Sequence, residues 1–130
     1  MRTVISDTSP IVAFIKKGEL SLLRTIFTTI HLPKVVYEEL VNEVGASQLQ
    51  IETIKAAIED KWIVVDNSCD NSPLARYRLG NGEQDAIAAC LNEPESYLLL
   101  LDDKKAKQVA IDHHIRTIGT LGIIRQRRSY

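Results

Sequence analysis

The sequence predicts an α/β fold, a parallel sheet with helices on both sides. Three observations carry that prediction. Short β-branched or apolar runs alternate with segments of helical spacing, and the gaps between them are short. One run, Tyr97 to Leu101, is apolar throughout, the pattern of a central parallel strand buried on both faces. The order reads strand, helix, helix, strand, helix, helix, strand, then helix, strand, helix, strand, helix.

Each element follows from local chemistry. Residues 2–6 are short and β-branched, which makes a first strand. Thr8, Ser9 and Pro10 start helices, so helices are expected near 8–17 and 19–27, split by Gly18. Thr29 to Leu32 is a second strand ended by Pro33. Pro33 sits in the first turn of a helix that runs to about Val44 and stops at Gly45. Ser47 caps the next helix, about 48–60, and Trp62 to Val65 is a third strand. A polar, turn-rich stretch, 66–73, leads to a short helix at 74–79. Gly80-Asn81-Gly82 breaks the chain before a helix from Glu83 to about Asn92. The fourth strand is the apolar run, followed by a helix from Asp103 to His113. A last strand, Arg116 to Ile118, and a last helix, Leu121 to Arg127, complete the chain.

At 130 residues the chain is read as one domain, 1–130, with enough length for a real core. Hydrophobic residues make up 45 % and charged residues 25 %, which places it among ordinary globular proteins. No apolar run approaches the ~20 residues of a membrane helix. The N-terminus lacks the features of a secretory signal, so a cytoplasmic protein without a membrane segment is expected. Cys69 and Cys90 lack metal-type spacing and read as reduced, structural thiols. The net charge of −1 provides no global basic field. That argues against a tight general nucleic-acid binder and leaves room for an enzyme with a local basic rim.

The informative residues are acids at element junctions. Asp7 closes the first strand where it hands over to a helix, the end of an open α/β sheet at which ligands collect. Such a carboxylate either caps the helix or binds a cation. Glu39 lies between Val35 and Val36 on the helical wheel, at the border of the apolar stripe. Glu38 faces the opposite, solvated side, and Glu43 lies one turn beyond Glu39. In Gly82-Glu83-Gln84-Asp85, Asp85 projects beside Ala89 at the edge of a closely packed small-residue face. Glu83 falls nearer the middle of that face. The two stand about 200° apart on the wheel, so one of them is expected in a shared site. Asp102 and Asp103 end the fully apolar strand and repeat the Asp7 arrangement, one capping the helix while the other faces the sheet end.

Carboxylates cluster around hard divalent cations, because they repel one another unless an ion neutralises them. Mg2+ and Mn2+ suit oxygen ligands and can activate water against a phosphate. No zinc pattern competes. His113-His114 reads as a helix-end surface and His31 as packing. No serine elbow, Walker loop or dinucleotide fingerprint is present. Lys104, Lys105 and Lys107, and more weakly Arg76 and Arg78, are candidate contacts to a nucleic-acid backbone, though an ordinary solvated helix face explains the lysines as well.

The ordered pieces Val4-Ile5-Ser6-Asp7-Thr8-Ser9-Pro10, Leu32-Pro33-Lys34-Val35-Val36-Tyr37-Glu38-Glu39-Leu40, Gly82-Glu83-Gln84-Asp85-Ala86-Ile87-Ala88, Leu100-Leu101-Asp102-Asp103-Lys104-Lys105-Ala106 and Ile118-Gly119-Thr120-Leu121-Gly122 resemble the PIN-domain family, in the branch related to VapC-type toxins. The resemblance implies a three-layer α/β/α sandwich with a central, mostly parallel sheet. It implies a Mg2+- or Mn2+-dependent endoribonuclease, acting on RNA as the toxin of a toxin–antitoxin pair. A protein antitoxin and a homodimer are the implied partners. Carried over, the family's acids fall on Asp7, Glu39, Asp85 (with Glu83 as alternative) and Asp103 (with Asp102 as competitor). Ser9 matches the small hydroxyl residue that helps order the site. The chain stops at Arg127-Arg128-Ser129-Tyr130, where relatives of this branch often continue past the last helix. The alternative is a PIN-fold module that binds protein or RNA without cleaving it. A phosphatase or nucleotide hydrolase would need a phosphate-cradling loop that is not visible.

Overall fold

A computed structural model of the chain describes residues 2–42 and 46–127. Strand β1 (Thr3–Ser6) leads into α1 (Thr8–Lys16) and α2 (Leu20–Phe27). Strand β2 (Ile30–Pro33) leads into α3 (Lys34–Asn42) and α4 (Gln48–Glu59). After β3 (Ile63–Asp66) come a 3-10 turn (Ser72–Tyr77) and α5 (Asn81–Ala88). A second 3-10 turn (Pro94–Ser96) precedes β4 (Tyr97–Leu100), which is followed by α6 (Lys104–Asp112), β5 (Arg116–Ile118) and α7 (Thr120–Arg127).

The five strands form one sheet in the order β3-β2-β1-β4-β5, with every pair parallel. The chain leaves β1 toward β2 and later returns to β4 on the other side. The carboxyl ends of β1 and β4 therefore form the topological switch point, where open sheets leave a crevice. Register keeps these ends level: Ser6 pairs with Leu100, and Leu100 with Ile118. The Asp7 N–H donates to the Leu100 carbonyl at 3.0 Å, and the Leu101 N–H to the Ile118 carbonyl at 3.1 Å. Asp7, Asp102 and Gly119 consequently emerge along one edge.

Alternate residues of each strand serve opposite layers, as a sheet covered on both faces requires. Val4 and Leu100 pack with Phe14 of α1, Leu23 of α2, Leu40 of α3, Ile54 of α4 and Ile123 of α7. Ile5, Leu99 and Leu101 pack instead with Leu74, with Ile87 of α5 and with Val109 of α6. Each such fully buried aliphatic side chain contributes about 1.5–3 kcal/mol. Ala86, Ala106 and Ala110 let α5 and α6 lie close on their face.

The strands and helices fall where their residues predict, with shifts at the ends; α5, expected to reach about Asn92, ends at Ala88. Pro33 belongs to β2, in register with Asp66, and α3 starts one residue later. Ser47 caps α4 as expected, its hydroxyl accepting from the Gln50 N–H at 3.0 Å. The short helix predicted at 74–79 is the 3-10 turn 72–77. Helix α5 takes Asn81 and Gly82 into its first turn, because Glu83 Oε1 accepts the Gly80 N–H at 2.9 Å and so sets the start at Gly80. Gly18 separates α1 from α2 with φ +68°, a left-handed conformation that suits glycine. Glu43 and the predicted helix end at Val44–Gly45 lie outside the described residues. Among the described residues, no helix is long and apolar enough to cross a membrane.

Candidate active site

Asp7 occupies the N-cap position of α1, yet its side chain makes no capping hydrogen bond. It is 6 % exposed. Burial pushes its pKa up to about 7; the Thr8 amide opposes the rise, and the charges of Glu83, Glu39 and Asp102 add to it. Three other carboxylates thus act on a buried one at the switch point.

Glu39 reaches the same place from α3. It is half-buried while Glu38 is exposed, as the helical wheel requires. The Thr8 hydroxyl donates to Glu39 Oε2 at 2.5 Å and holds the carboxylate inward. Gly82, in the first turn of α5, faces both acids. A methyl group on Gly82 would stand 2.8 Å from Glu39 Oε1, 3.1 Å from Glu39 Oε2 and 3.1 Å from Asp7 Oδ1. Two carboxylates from distant elements therefore converge on one point, left open because residue 82 has no side chain.

The paired aspartates after β4 divide their work. Asp103 is exposed and caps α6, accepting the Ala106 N–H through Oδ2 at 2.9 Å. Asp102 turns to the sheet edge, where its two oxygens accept from Thr120, from the N–H at 2.7 Å and the hydroxyl at 2.6 Å. On α5, Asp85 is 4 % exposed and accepts from Asn71 Nδ2 at 2.6 Å, which ties the 67–71 segment to the helix. Of the four expected acids, Asp7 and Glu39 are brought together, whereas Asp85 and Asp103 are engaged with Asn71 and Ala106. The alternatives left open by the sequence, Glu83 and Asp102, are the acids whose charges act on Asp7.

Other candidates separate as clearly. His31 Nδ1 lies 3.0 Å from Asp66 Oδ1 across β2 and β3. His113 Nδ1 contacts the Val109 carbonyl oxygen at 2.9 Å, and its ring meets Tyr77 edge-on. Arg76 stacks over the Tyr77 ring at 4.7 Å. Cys69 and Cys90 are free thiols, donating to the carbonyls of Asp85 and Ala86. Burial pushes the Cys90 thiol up to about 12. Ser9 is exposed, and Thr8 is the hydroxyl that bonds Glu39. Sequence reasoning missed Thr8, Asn71 and Thr120 in these roles. Thr8 and Thr120 had one signal, a hydroxyl residue two positions after a strand end; Asn71 had none.

Among the described residues, no three His, Cys, Asp or Glu side chains form a group that could hold a metal ion as they lie. The donors nevertheless fit a hard divalent cation in kind. Mg2+ is commonly held by one or two carboxylates, the remaining positions being filled by waters and substrate phosphates. Asp7 and Glu39 on either side of the bare Gly82 are such a pair.

A family model described as a PIN domain matches residues 3–129. No curated protein matches the chain.

Proposed function

The chain belongs to the PIN-domain family, and from that premise we propose that it is a Mg2+- or Mn2+-dependent endoribonuclease, the toxin of a toxin–antitoxin pair, hydrolysing RNA phosphodiesters. PIN domains are generally nucleases, and they generally use divalent metals. The observation that carries this reading is the meeting of Asp7 and Glu39 over Gly82, inside the field of Glu83 and Asp102.

In this reading Asp7 and Glu39 hold the cation, with Asp102 and Glu83 adding negative charge around them. Thr8 keeps Glu39 from swinging to solvent, and Thr120 keeps Asp102 at the sheet edge. A divalent ion held by Asp7 and Glu39 would supply an activated water and neutralise charge on the phosphate. Burial pushes the Asp7 pKa up to about 7, so a cation held there would favour its ionised form. Asp103 caps the helix behind Asp102, and Asp85 anchors the segment beside α5; we assign both to supporting roles. An antitoxin segment covering the acidic edge, and a homodimer, complete the proposal.

Purified protein with Mn2+ should cut RNA, and Asp7→Asn should not. Equal cleavage by the variant would point to a contaminant and end the proposal. Expression of the wild type should arrest bacterial growth, and Asp7→Asn should relieve the arrest. Size-exclusion chromatography should give the mass of two chains. The second reading is a PIN-fold module that binds without cleaving; it is favoured by the lack of a three-residue ligand group among the described residues. It predicts no rise in melting temperature on adding Mn2+, whereas the nuclease reading predicts a rise that Glu39→Gln removes.

A further inference from the structure

Three lysines follow the β4 aspartates on α6, and one of them differs from the others. Lys104 and Lys105 are exposed, whereas Lys107 is half-buried. A methyl group on Gly119 would stand 2.6 Å from Lys107 Nζ, 2.9 Å from Asp102 Oδ1 and 3.4 Å from the Leu101 carbonyl oxygen. The amine and the carboxylate thus share one bare glycine at the end of β5, on the edge that carries Asp7. Both Asp102 oxygens already accept from Thr120. Among the described residues, the Lys107 side-chain amine makes no ion pair or hydrogen bond, while its backbone N–H donates to the Asp103 carbonyl at 2.9 Å. An ammonium is strongly hydrated, and partial burial without a partner is costly unless an anion comes to it.

We propose that Lys107 grips a backbone phosphate of the RNA strand beside the carboxylates, in a subsite kept open by Gly119. This rests on the nuclease reading of the same edge. The carboxylates alone would repel a polyanion, and Lys107 supplies the opposite charge where the strand enters. It binds a non-bridging phosphate oxygen as a point charge, which selects for a phosphodiester and not for a base. Gly119 matters because any side chain there would take the volume that Lys107 Nζ and the phosphate need.

The test is binding of a labelled, cleavage-resistant phosphorothioate RNA in Mn2+, followed by fluorescence anisotropy across a salt series. Lys107→Ala should weaken binding about 10-fold. It should also reduce the slope of log affinity against log salt by about 0.7, one phosphate contact to a single strand. Lys107→Arg should restore most of the affinity. With cleavable RNA, Lys107→Ala should raise KM far more than it lowers kcat. Gly119→Ala, which displaces the amine without removing it, should reproduce the binding loss. Unchanged affinity and salt slope in Lys107→Ala, with wild-type cleavage intact, overturns the proposal and leaves the nuclease reading standing. A fall in melting temperature with unchanged RNA affinity of the folded variant makes Lys107 merely structural and also overturns it. If the wild type neither binds nor cuts RNA, both readings fall together.

Discussion

After β1 the chain offers one aspartate to the helix that follows; after β4 it offers two. The second turn is relaxed. Asp103 caps α6 through the Ala106 N–H, and Asp102 is free to face the edge with Thr120 as its donor. The first turn has no such division. Asp7 stands at the cap position, does not cap, and is buried among like charges that, with burial, raise its pKa to about 7. A strand-end carboxylate is therefore structural where amides reach it. Where burial and neighbouring carboxylates outweigh the nearby Thr8 amide, as at Asp7, its pKa rises instead. Capping by aspartate contributes about 0.5–2 kcal/mol, so the β4 turn adds stability where the β1 turn costs it.

The largest expected contrast is in catalysis. Asp7→Asn should lower Mn2+-dependent cleavage by about 1000-fold or more, while Asp103→Asn should leave it within a few-fold. Equal damage from both would erase the distinction between the turns. The next is pH. A carboxyl whose folded pKa is raised favours the folded state while protonated. Its contribution is fully present below the ordinary value of 3.8 and is lost as pH rises through about 7. Without metal, denaturant melts should show stability falling across that window, by about 4 kcal/mol at the upper limit. Asp7→Asn should flatten that slope; a slope that survives in the variant would locate the cost elsewhere. Within the β4 turn, Asp102→Asn should cut cleavage about 10- to 100-fold with little change in melting. Asp103→Ala should cost about 1 kcal/mol of stability and spare cleavage. The smallest effect is at the hydroxyl joining α1 to α3: Thr8→Val should reduce cleavage about 3- to 10-fold, as Glu39 loses its donor.

Much of this was legible in the sequence, because it is local. The β-branched run before Asp7, the four leucines before Asp102 and the Ser47 cap each announce their element within a few residues. Glu39 was legible in part, since 3.6-residue periodicity places it at the border of the apolar stripe and Glu38 on the solvated side; the Thr8 hydroxyl that draws it inward lies on another element. The choice between Asp102 and Asp103 was not, because either could serve as a cap and only the last residue before α6 reaches an amide three positions on. Between Glu83 and Asp85 the wheel shows that the two diverge. It does not show that Asn71, fourteen residues away, holds the Asp85 carboxylate. The resemblance pointed to Ser9, which is exposed, while the adjacent Thr8 bonds Glu39: neighbouring hydroxyls at a helix start differ in their rotation about its axis.

Gly82 sets the gauge of the crevice, and its tolerance is one carbon atom. Alanine there would drive its methyl into the Glu39 and Asp7 carboxylates, at 2.8–3.1 Å, and force them apart. At this position the bare Cα is what leaves Asp7 and Glu39 room to face one another.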